Sequence, residues 1–315
     1  MSKLKIAIIG LGNMGRIHAK AIKKNMNCEL AYVIDNDAKT HKNFTNILNF
    51  YNLNTFLKKF SDEVDGIIIS TPSANHYEIA NELLDRKIPL LVEKPMATDK
   101  ESVKKLIMKS KKLKTILRCG LIELYNPLVT ELNQIDIEKI NFVHIKRHSP
   151  IQNPKRKLEN IVLDLTLHDL SLLFKLLNPT KIDIIGKSLI YKGQIAETSQ
   201  ILLKINDKII VFVSSSRQDQ EKVRSIEIFD EDTKFDFNLK NKTYEIKQKA
   251  KVDFFNNASI SETNLVKKID MLNRPETADS QLESFITAIN NNNLDFEHLS
   301  IVEKAHNLAF KILSS

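Results

Sequence analysis

Three glycines near the amino terminus of the 315-residue chain stand at a spacing that could bind phosphate groups. Gly10, Gly12 and Gly15 form a Gly-x-Gly-x-x-Gly motif that follows an apolar run and precedes a helix-compatible stretch. Gly10 allows a tight turn, Gly12 lets backbone N–H groups approach a pyrophosphate, and Gly15 allows the helix to pack closely on the strand. The motif therefore predicts a dinucleotide site at the helix amino terminus that includes Asn13 and Met14.

Asp35 ends the next apolar run, 20 residues after Gly15. A carboxylate at this position accepts hydrogen bonds from the adenosine ribose of a dinucleotide, so Asp35 predicts NAD rather than NADP as the cofactor. The alternative is a solvated carboxylate at a strand end, beside Asn36 and Asp37.

A second group, Glu93-Lys94-Pro95, follows the predicted buried strand at residues 88–92. Ligands of open parallel sheets bind at the carboxyl ends of the strands. An ammonium group there can stabilise a substrate hydroxyl as it becomes an alkoxide, and Glu93 can pair with Lys94 or with a ribose. A surface turn is the alternative, and this tripeptide alone leaves both open.

A third group lies where a predicted helix over residues 161–177 begins. Asp164 and His168 are four residues apart, so on a helix both side chains share a face and the carboxylate can orient the imidazole. Histidine is suited to remove a hydroxyl proton near neutral pH. A structural histidine is the alternative, and Asp169 could cap, pair or touch a substrate.

The composition is that of an ordinary globular protein, with 42% hydrophobic and 27% charged residues. Cys28 and Cys119 are the two cysteines and form no Cys-x-x-Cys pair, which argues against disulfides and thiolate metal sites and favours a reducing cytoplasm. The scattered histidines give no reason to expect a metal. The start of the chain carries no leader-like segment, and no apolar run is long enough to predict a membrane span.

The net charge of +8 could attract nucleic acid, membranes or acidic metabolites. The densest basic stretch, at residues 104–114, has no aromatic residue for base stacking, so a solvated helix face is favoured over a nucleic-acid interface. No nucleic-acid or membrane partner is therefore expected.

Strand and helix patterns alternate through the first part of the chain, with helices near residues 38–51, 75–86 and 99–113. This alternation predicts an α/β domain over residues 1–121, a doubly wound parallel sheet of the Rossmann type. Residues 122–315 change character: several strand patterns lie between 140 and 248, residues 249–277 lack clear periodicity, and helices follow near 278–290 and 299–313. These features predict an α+β domain with a mainly antiparallel sheet.

The chain resembles the glucose-fructose oxidoreductase and inositol dehydrogenase (Gfo/Idh/MocA) family over essentially its whole length. The matching motifs are the glycine loop at 10–15, Thr71-Pro72-Ser73-Ala74-Asn75-His76, Glu93-Lys94-Pro95 and Asp164 through Asp169. The resemblance implies a Rossmann domain for the cofactor and a second, open-faced sheet for substrate binding and oligomerisation. An open sheet face with alternating apolar residues favours self-association, so we expect a homo-oligomer, a dimer or tetramer, formed through that face.

The same resemblance implies roles for individual residues. Lys94 and His168 become the catalytic pair and Asp164 a substrate-side or orienting residue. Thr71, Pro72 and Glu93 become neighbours of the nicotinamide ribose, whereas His76 packs at a helix start.

Two further segments resemble a narrower branch of the family that oxidises UDP-N-acetylglucosamine at C3. They are residues 120–127 and 162–169, whereas Asn160 and the segment at 274–276 depart from that branch. A basic loop at 147–157, with Arg147 and Arg156 as candidate substrate ligands, could bind the pyrophosphate of a nucleotide sugar or be merely solvated.

These observations predict an NAD-dependent dehydrogenase that oxidises a secondary hydroxyl of a sugar, with C3 of a UDP-N-acetylhexosamine as the first choice of substrate. His168 takes the proton, Lys94 stabilises the alkoxide and hydride passes to the nicotinamide. A free aldose, polyol or inositol is an alternative substrate. A cofactor-binding sensor or scaffold without redox chemistry is an alternative from another class.

Overall fold

A computed structural model describes residues 2–151, 158–249 and 263–314 of the chain. The chain forms two compact units, and the division is not a single cut along the sequence. The first unit contains Met1–Tyr125 and Pro275–Phe310, and the second contains Asn126–Arg274 and the residues from Lys311 onward.

The amino-terminal part of the first unit alternates strands and helices. Its strands are β1 (Leu4–Ile9), β2 (Cys28–Ile34), β3 (Leu48–Phe50), β4 (Gly66–Ile69), β5 (Leu90–Val92) and β6 (Leu117–Cys119). Its helices are α1 (Asn13–Lys24), α2 (Ala38–His41), α3 (Leu53–Phe60), α4 (His76–Asp85) and α5 (Lys100–Leu113), with short 3₁₀ turns at Ser61–Glu63, Ser73–Asn75 and Ile122–Tyr125.

The six strands form one parallel sheet in the order β3-β2-β1-β4-β5-β6. Strands β4, β5 and β6 are buried along their whole length, because helices cover both faces of a doubly wound sheet and every position then favours an apolar side chain. All carboxyl ends of the strands point to one edge of this sheet, which we call the carboxyl edge. The residues that follow β1, β2, β4 and β5 are therefore gathered there.

The second unit is built around a larger sheet. Its elements are the helix α6 (Leu128–Leu132), a 3₁₀ turn at Ile137–Lys139, the strand β7 (Phe142–His148), a π-helical turn at Val162–Thr166, the helix α7 (Leu167–Leu177) and the strands β8 (Ile182–Lys192), β9 (Ile195–Ile205), β10 (Ile209–Ser216), β11 (Val223–Phe229), β12 (Thr233–Asn238), β13 (Thr243–Lys249) and β14 (Thr263–Asp270).

These eight strands pair in the order β14-β13-β12-β11-β7-β10-β9-β8. All pairs are antiparallel except β7 with β10, which is parallel. Along β7 buried side chains alternate with half-buried ones, because one face of the sheet packs on the helix that begins with the π-helical turn. The predicted fold class, a Rossmann sheet followed by a mainly antiparallel sheet, is confirmed.

Two helices near the carboxyl terminus, α8 (Thr277–Asn290) and α9 (Phe296–Ser314), contribute to the first unit. Leu282, Phe285 and Ile286 of α8 join the core that contains Ile22 of α1. Gly66 makes room for this contact, since a Cβ there would lie 3.1 Å from the Phe285 ring. The first unit is thus completed by residues far along the chain.

Two sequence predictions of secondary structure were wrong. The helix predicted over 38–51 is the four-residue helix α2 followed by β3, and α3 was not predicted. Within the part predicted to lack periodicity, residues 263–270 form the strand β14. None of the helices in the described ranges is long and apolar enough to cross a membrane.

Candidate active site

The glycine loop joins β1 to α1 at the carboxyl edge. Gly10 has a φ of +91°, and a Cβ on it would lie 2.6 Å from the backbone of Ser70. A Cβ on Gly15 would lie 2.1 Å from the carbonyl oxygen of Gly10, whereas a Cβ on Gly12 would meet no atom of the described residues within 4 Å. Two of the glycines are therefore required by the packing of the protein itself, and the space beside Gly12 is open for a ligand.

The amino terminus of α1 fits an anionic ligand. Gly12 is the N-cap residue, so no side chain caps the helix, and its first turn carries no acidic residue. The N–H groups of the first turn and the positive end of the helix dipole are thus available for a phosphate. Asn13 is exposed and Met14 half-buried in this first turn, where the sequence predicts cofactor contacts.

Asp35 follows β2 and is held by backbone groups. Its Oδ2 accepts a hydrogen bond from the N–H of Leu11 at 2.6 Å, and its Oδ1 accepts one from the N–H of Asp37 at 2.8 Å. His41 lies 2.7 Å from its carbonyl oxygen. The carboxylate is therefore fixed against the glycine loop, the position that a ribose-binding aspartate requires.

Thr71 and Pro72 follow β4 on the carboxyl edge. The Thr71 hydroxyl is buried and makes no hydrogen bond within the described part of the chain, whereas the Thr71 carbonyl oxygen lies 2.9 Å from Nε2 of His76. The other ring nitrogen of His76 lies 2.8 Å from the carbonyl oxygen of Pro95. His76 is the first residue of α4, as predicted, and it also links the segments that follow β4 and β5.

Glu93 and Lys94 follow β5 on the same edge. Glu93 is buried, and its Oε1 lies 2.6 Å from Nε2 of His18 on α1. Gly120 leaves space for this carboxylate, since a Cβ there would lie 2.7 Å from Oε2 of Glu93. Lys94 is half-buried, and its N–H lies 3.3 Å from the same carboxylate.

Asp164 and His168 lie in the second unit, and both are buried. Asn160 begins their helix, because its side chain accepts the N–H of Val162, and Asp164 lies in the π-helical turn. Oδ2 of Asp164 accepts a hydrogen bond from Nη2 of Arg217 at 2.9 Å, and Arg217 also donates to the carbonyl oxygen of Glu159. An arginine that the sequence did not predict therefore holds this carboxylate.

The same unit contains a second buried ion pair, which joins Arg147 to Asp169. The arginine Nε donates to Oδ1 of Asp169 at 2.7 Å, and the arginine side chain is 2% exposed. This contact gives Arg147 a part in fixing α7 to β7, which differs from the substrate contact predicted from the sequence. Asp169 has the structural pairing that the sequence left open. Arg156 lies outside the described residues.

Sequence reasoning missed His18 and His306 as well as Arg217. Both histidines lie on an apolar helix face: His18 shares its face with Gly15, Ala19 and Ile22. His306 shares its helix face with Val302 and Ala309. A polar residue in an apolar stripe must find a buried partner, and that signal could have identified both. Arg217 carries no such local signal.

The fold and the carboxyl edge define a class of protein, one with a Rossmann unit of the kind that binds dinucleotides. Residues 4–121 match the model of the oxidoreductase family with an NAD-binding Rossmann fold, GFO_IDH_MocA. The match covers residues 4–121, and it confirms the resemblance and the enzyme class predicted from the sequence.

Three relatives show what this chain is similar to. UDP-N-acetylglucosamine 3-dehydrogenase of Acidithiobacillus ferrooxidans is 25% identical over 260 residues, or 82% of this chain and 76% of that protein. Its solved structure has a TM-score of 0.81 at 21% identity and covers 99% of this chain and 96% of its own. Inositol 2-dehydrogenase of an Arthrobacter species is 26% identical over 53% of this chain and 52% of that protein.

The third relative is KijD10, a 3-ketoreductase from Actinomadura kijaniata. A variant of it, solved with TDP-benzene and NADP, has a TM-score of 0.83 at 13% identity and covers 99% of this chain and 98% of its own. At this identity the likeness concerns the fold alone. The match over residues 4–121 covers nicotinamide dinucleotides in general and does not distinguish NAD from NADP.

Proposed function

We propose that the protein is an NAD-dependent oxidoreductase that oxidises a secondary hydroxyl of a sugar, with C3 of a UDP-N-acetylhexosamine as its substrate position. The observation that carries the proposal is the carboxyl edge. The glycine loop, Asp35, Thr71 and Lys94 follow four different strands and are gathered on this edge of one sheet. Such an edge is where doubly wound sheets bind dinucleotides.

The residues that would hold the cofactor are those of the glycine loop, Asp35, Thr71, Pro72 and Glu93. The open space beside Gly12 and the uncapped start of α1 suit the pyrophosphate, and the backbone-fixed Asp35 carboxylate suits an unphosphorylated ribose. When bound, the nicotinamide supplies the hydride acceptor. One proton then remains to be removed from the alcohol.

Lys94 and His168 divide the remaining chemistry. The ammonium group of Lys94 donates a hydrogen bond to the substrate hydroxyl and stabilises the negative charge that develops as the hydroxyl loses its proton. The His168 imidazole accepts that proton, and Asp164 lies one helical turn before it on the substrate side. The carbon that carries the hydroxyl becomes a ketone.

The choice of a nucleotide sugar is supported by the similarity to UDP-N-acetylglucosamine 3-dehydrogenase, which extends over 82% of this chain. The basic residues at 155–157 in the sequence are the proposed cations for a pyrophosphate, with Arg156 as the candidate ligand. A free polyol is the second candidate, since an inositol 2-dehydrogenase matches about half of the chain.

The outer face of the large sheet is the proposed oligomer interface. Phe142, Phe212 and Phe229 lie half-buried on this face, and the Phe142 and Phe229 rings are 5.6 Å apart. A second copy of the chain would cover these aromatic side chains. Analytical ultracentrifugation tests this: Phe212→Asp should dissociate a dimer or tetramer, and a wild-type monomer would exclude the interface.

The function is tested by NADH formation from a panel that contains UDP-N-acetylglucosamine, its galacto epimer, myo-inositol and glucose. Both Lys94→Met and His168→Asn should lower kcat at least about a hundredfold, with NAD affinity nearly unchanged. Lys104→Met, on the exposed face of α5, is the matched control and should keep wild-type kinetics.

Two outcomes would contradict the proposal. Near-normal turnover of either site variant removes that residue from the chemistry. Tight NAD binding without reduction by any sugar would support a sensor or scaffold instead.

A further inference from the structure

Three buried histidines surround the turn that carries Lys94, which we call the lysine turn (residues 93–96). They are His18 of α1, His76 of α4 and His306 of α9, with exposed fractions of 0%, 1% and 0%. Each contacts a different residue of the turn, and all belong to the first unit. The cofactor contacts and the acid–base chemistry proposed above use none of the three.

His18 holds the residue before Lys94. Its Nε2 lies 2.6 Å from Oε1 of Glu93, and both side chains are buried. A buried carboxylate without a hydrogen-bonding partner is costly, so this contact fixes both the rotamer of Glu93 and its position. Since α1 begins at the glycine loop, His18 also ties the lysine turn to the helix proposed to bind phosphate.

His76 holds the residue after Lys94. Its ring nitrogens lie 2.8 Å from the carbonyl oxygen of Pro95 and 2.9 Å from that of Thr71. Both oxygens can only accept, so the ring donates an N–H to one of them, and it donates to both only when both nitrogens carry a hydrogen. The ring therefore spans the distance between the segments after β4 and β5, the two that are proposed to flank the nicotinamide ribose.

His306 holds the next peptide group. Its Nδ1 lies 2.7 Å from the carbonyl oxygen of Val302, which can only accept a hydrogen bond, so Nδ1 carries the hydrogen and the tautomer is fixed. The lone pair on Nε2 then accepts the N–H of Met96 at 3.0 Å. A neutral imidazole from α9 is thus committed to one backbone N–H of the lysine turn.

We propose that His18, His76 and His306 are positioning residues that hold Lys94 for the reaction. The inference rests on the proposed function, because it assigns the histidines to the placement of a catalytic lysine. Glu93 is fixed on one side of Lys94, and Pro95 and Met96 are fixed on the other. The position of the Lys94 Cα is therefore fixed from both sides. A displacement of a catalytic group by about 1 Å can lower the rate on the order of a hundredfold.

His306→Phe is the central test, and His298→Phe is its matched control. His298 also lies on α9 and also accepts a backbone N–H, but from Cys119 rather than from the lysine turn. His306→Phe should lower kcat about ten- to a hundredfold and leave the KM for NAD within about twofold, whereas His298→Phe should keep kcat near wild type. Equal losses in both variants would mean that α9 merely stabilises the unit.

Conservative substitutions separate hydrogen bonding from packing. A glutamine amide offers both an acceptor oxygen and two donor hydrogens, so His306→Gln and His76→Gln can restore the contacts. Each should recover most of the kcat that His306→Phe and His76→Leu lose. If the glutamine variants are as slow as the apolar ones, hydrogen bonds to the turn do not set the rate.

A measurement that does not depend on activity tests the contact between Met96 and His306 in the wild-type protein. Labelling of methionine and histidine with ¹⁵N should give a through-hydrogen-bond coupling between the Met96 amide and Nε2 of His306, and its absence would overturn the contact. If no sugar is oxidised but the coupling is present, the proposed function fails and the arrangement of the turn stands. If Lys94→Met is inactive while His306→Phe and His76→Leu keep wild-type kcat, the positioning role fails and the proposed function stands.

Discussion

The segments that carry Lys94 and His168 are held by different kinds of contact. In the first unit, imidazoles of His18, His76 and His306 hold the lysine turn. In the second unit, guanidinium groups of Arg217 and Arg147 hold the start of the helix that contains His168. One segment is thus fixed by hydrogen bonds to and from histidines, and the other by buried ion pairs.

This difference determines which change, a substitution or a fall in pH, should destabilise each segment. Removal of one partner from a buried ion pair leaves a charge without compensation, so the second unit should be sensitive to single substitutions at neutral pH. A neutral imidazole that accepts a backbone N–H cannot do so once it is protonated, so the first unit should be sensitive to acid. The predictions below separate these two behaviours.

The largest effect is expected for Arg147→Met. The substitution takes the Nε donor from the buried Asp169 carboxylate and should lower the free energy of unfolding by about 3–5 kcal/mol in urea titrations. Replacing both partners, as Arg147→Met with Asp169→Leu, should recover much of the loss. Lys181→Met, which breaks an exposed pair with Asp207, is the control and should change little. A small loss in Arg147→Met would mean that the ion pair does not hold α7.

The acid response is the next effect in size. Burial lowers the pKa of His306 to about 4, and burial together with the charge of Arg118 lowers that of His298 to about 3. The unfolded chain binds these protons near pH 6.5, so the stabilisation is complete above that pH and is lost as the pH falls towards 4. For His306 this corresponds to about 3 kcal/mol.

Urea titrations at several pH values between about 7 and 4 check this prediction. The wild type should lose stability more steeply with falling pH than His306→Phe, which has no imidazole to protonate. Parallel curves for the two proteins would show that His306 is not held neutral in the folded state.

Much of the first unit was predictable because its signals are local. Apolar runs predict β1, β4 and β5. The spacing of the glycines predicts the turn after β1, which requires glycine at positions 10 and 15. The short strand β3 was missed because its residues follow a polar, asparagine-rich stretch, and only parallel pairing with β2 makes them a strand. Strand β14 forms by pairing with β13, another contact that no local pattern displays.

The sequence suggests the proposed reacting groups of the candidate site, but it does not reveal the side chains that hold them. Glu93, Asp164 and Asp169 are visible because they lie beside Lys94 and His168 in the sequence. Their partners His18, Arg217 and Arg147 come from other elements and meet them only after folding. The return of α8 and α9 to the first unit is of the same kind, since it joins residues more than 200 positions apart in the sequence, such as Met96 and His306.

The smallest effect concerns Asp35, a carboxylate of the first unit that backbone N–H groups hold without an arginine. Asp35→Ser removes the charge that opposes a ribose phosphate and should raise the kcat/KM ratio of NADP to NAD by roughly tenfold. Asp35→Asn keeps an oxygen for the N–H of Leu11 and separates loss of charge from loss of loop structure. An unchanged ratio in both variants would reject the ribose assignment.

The central claim is the proposal that Lys94 and His168 both act on the sugar hydroxyl that is oxidised. A double-mutant cycle with Lys94→Met and His168→Asn, read as kcat for NADH formation from the best sugar of the panel, tests it most directly. Groups that act together in one step give non-additive losses, so the double variant should be about as slow as the slower single variant. Losses that multiply, to about ten thousandfold, would mean that the two residues act independently and would contradict the account.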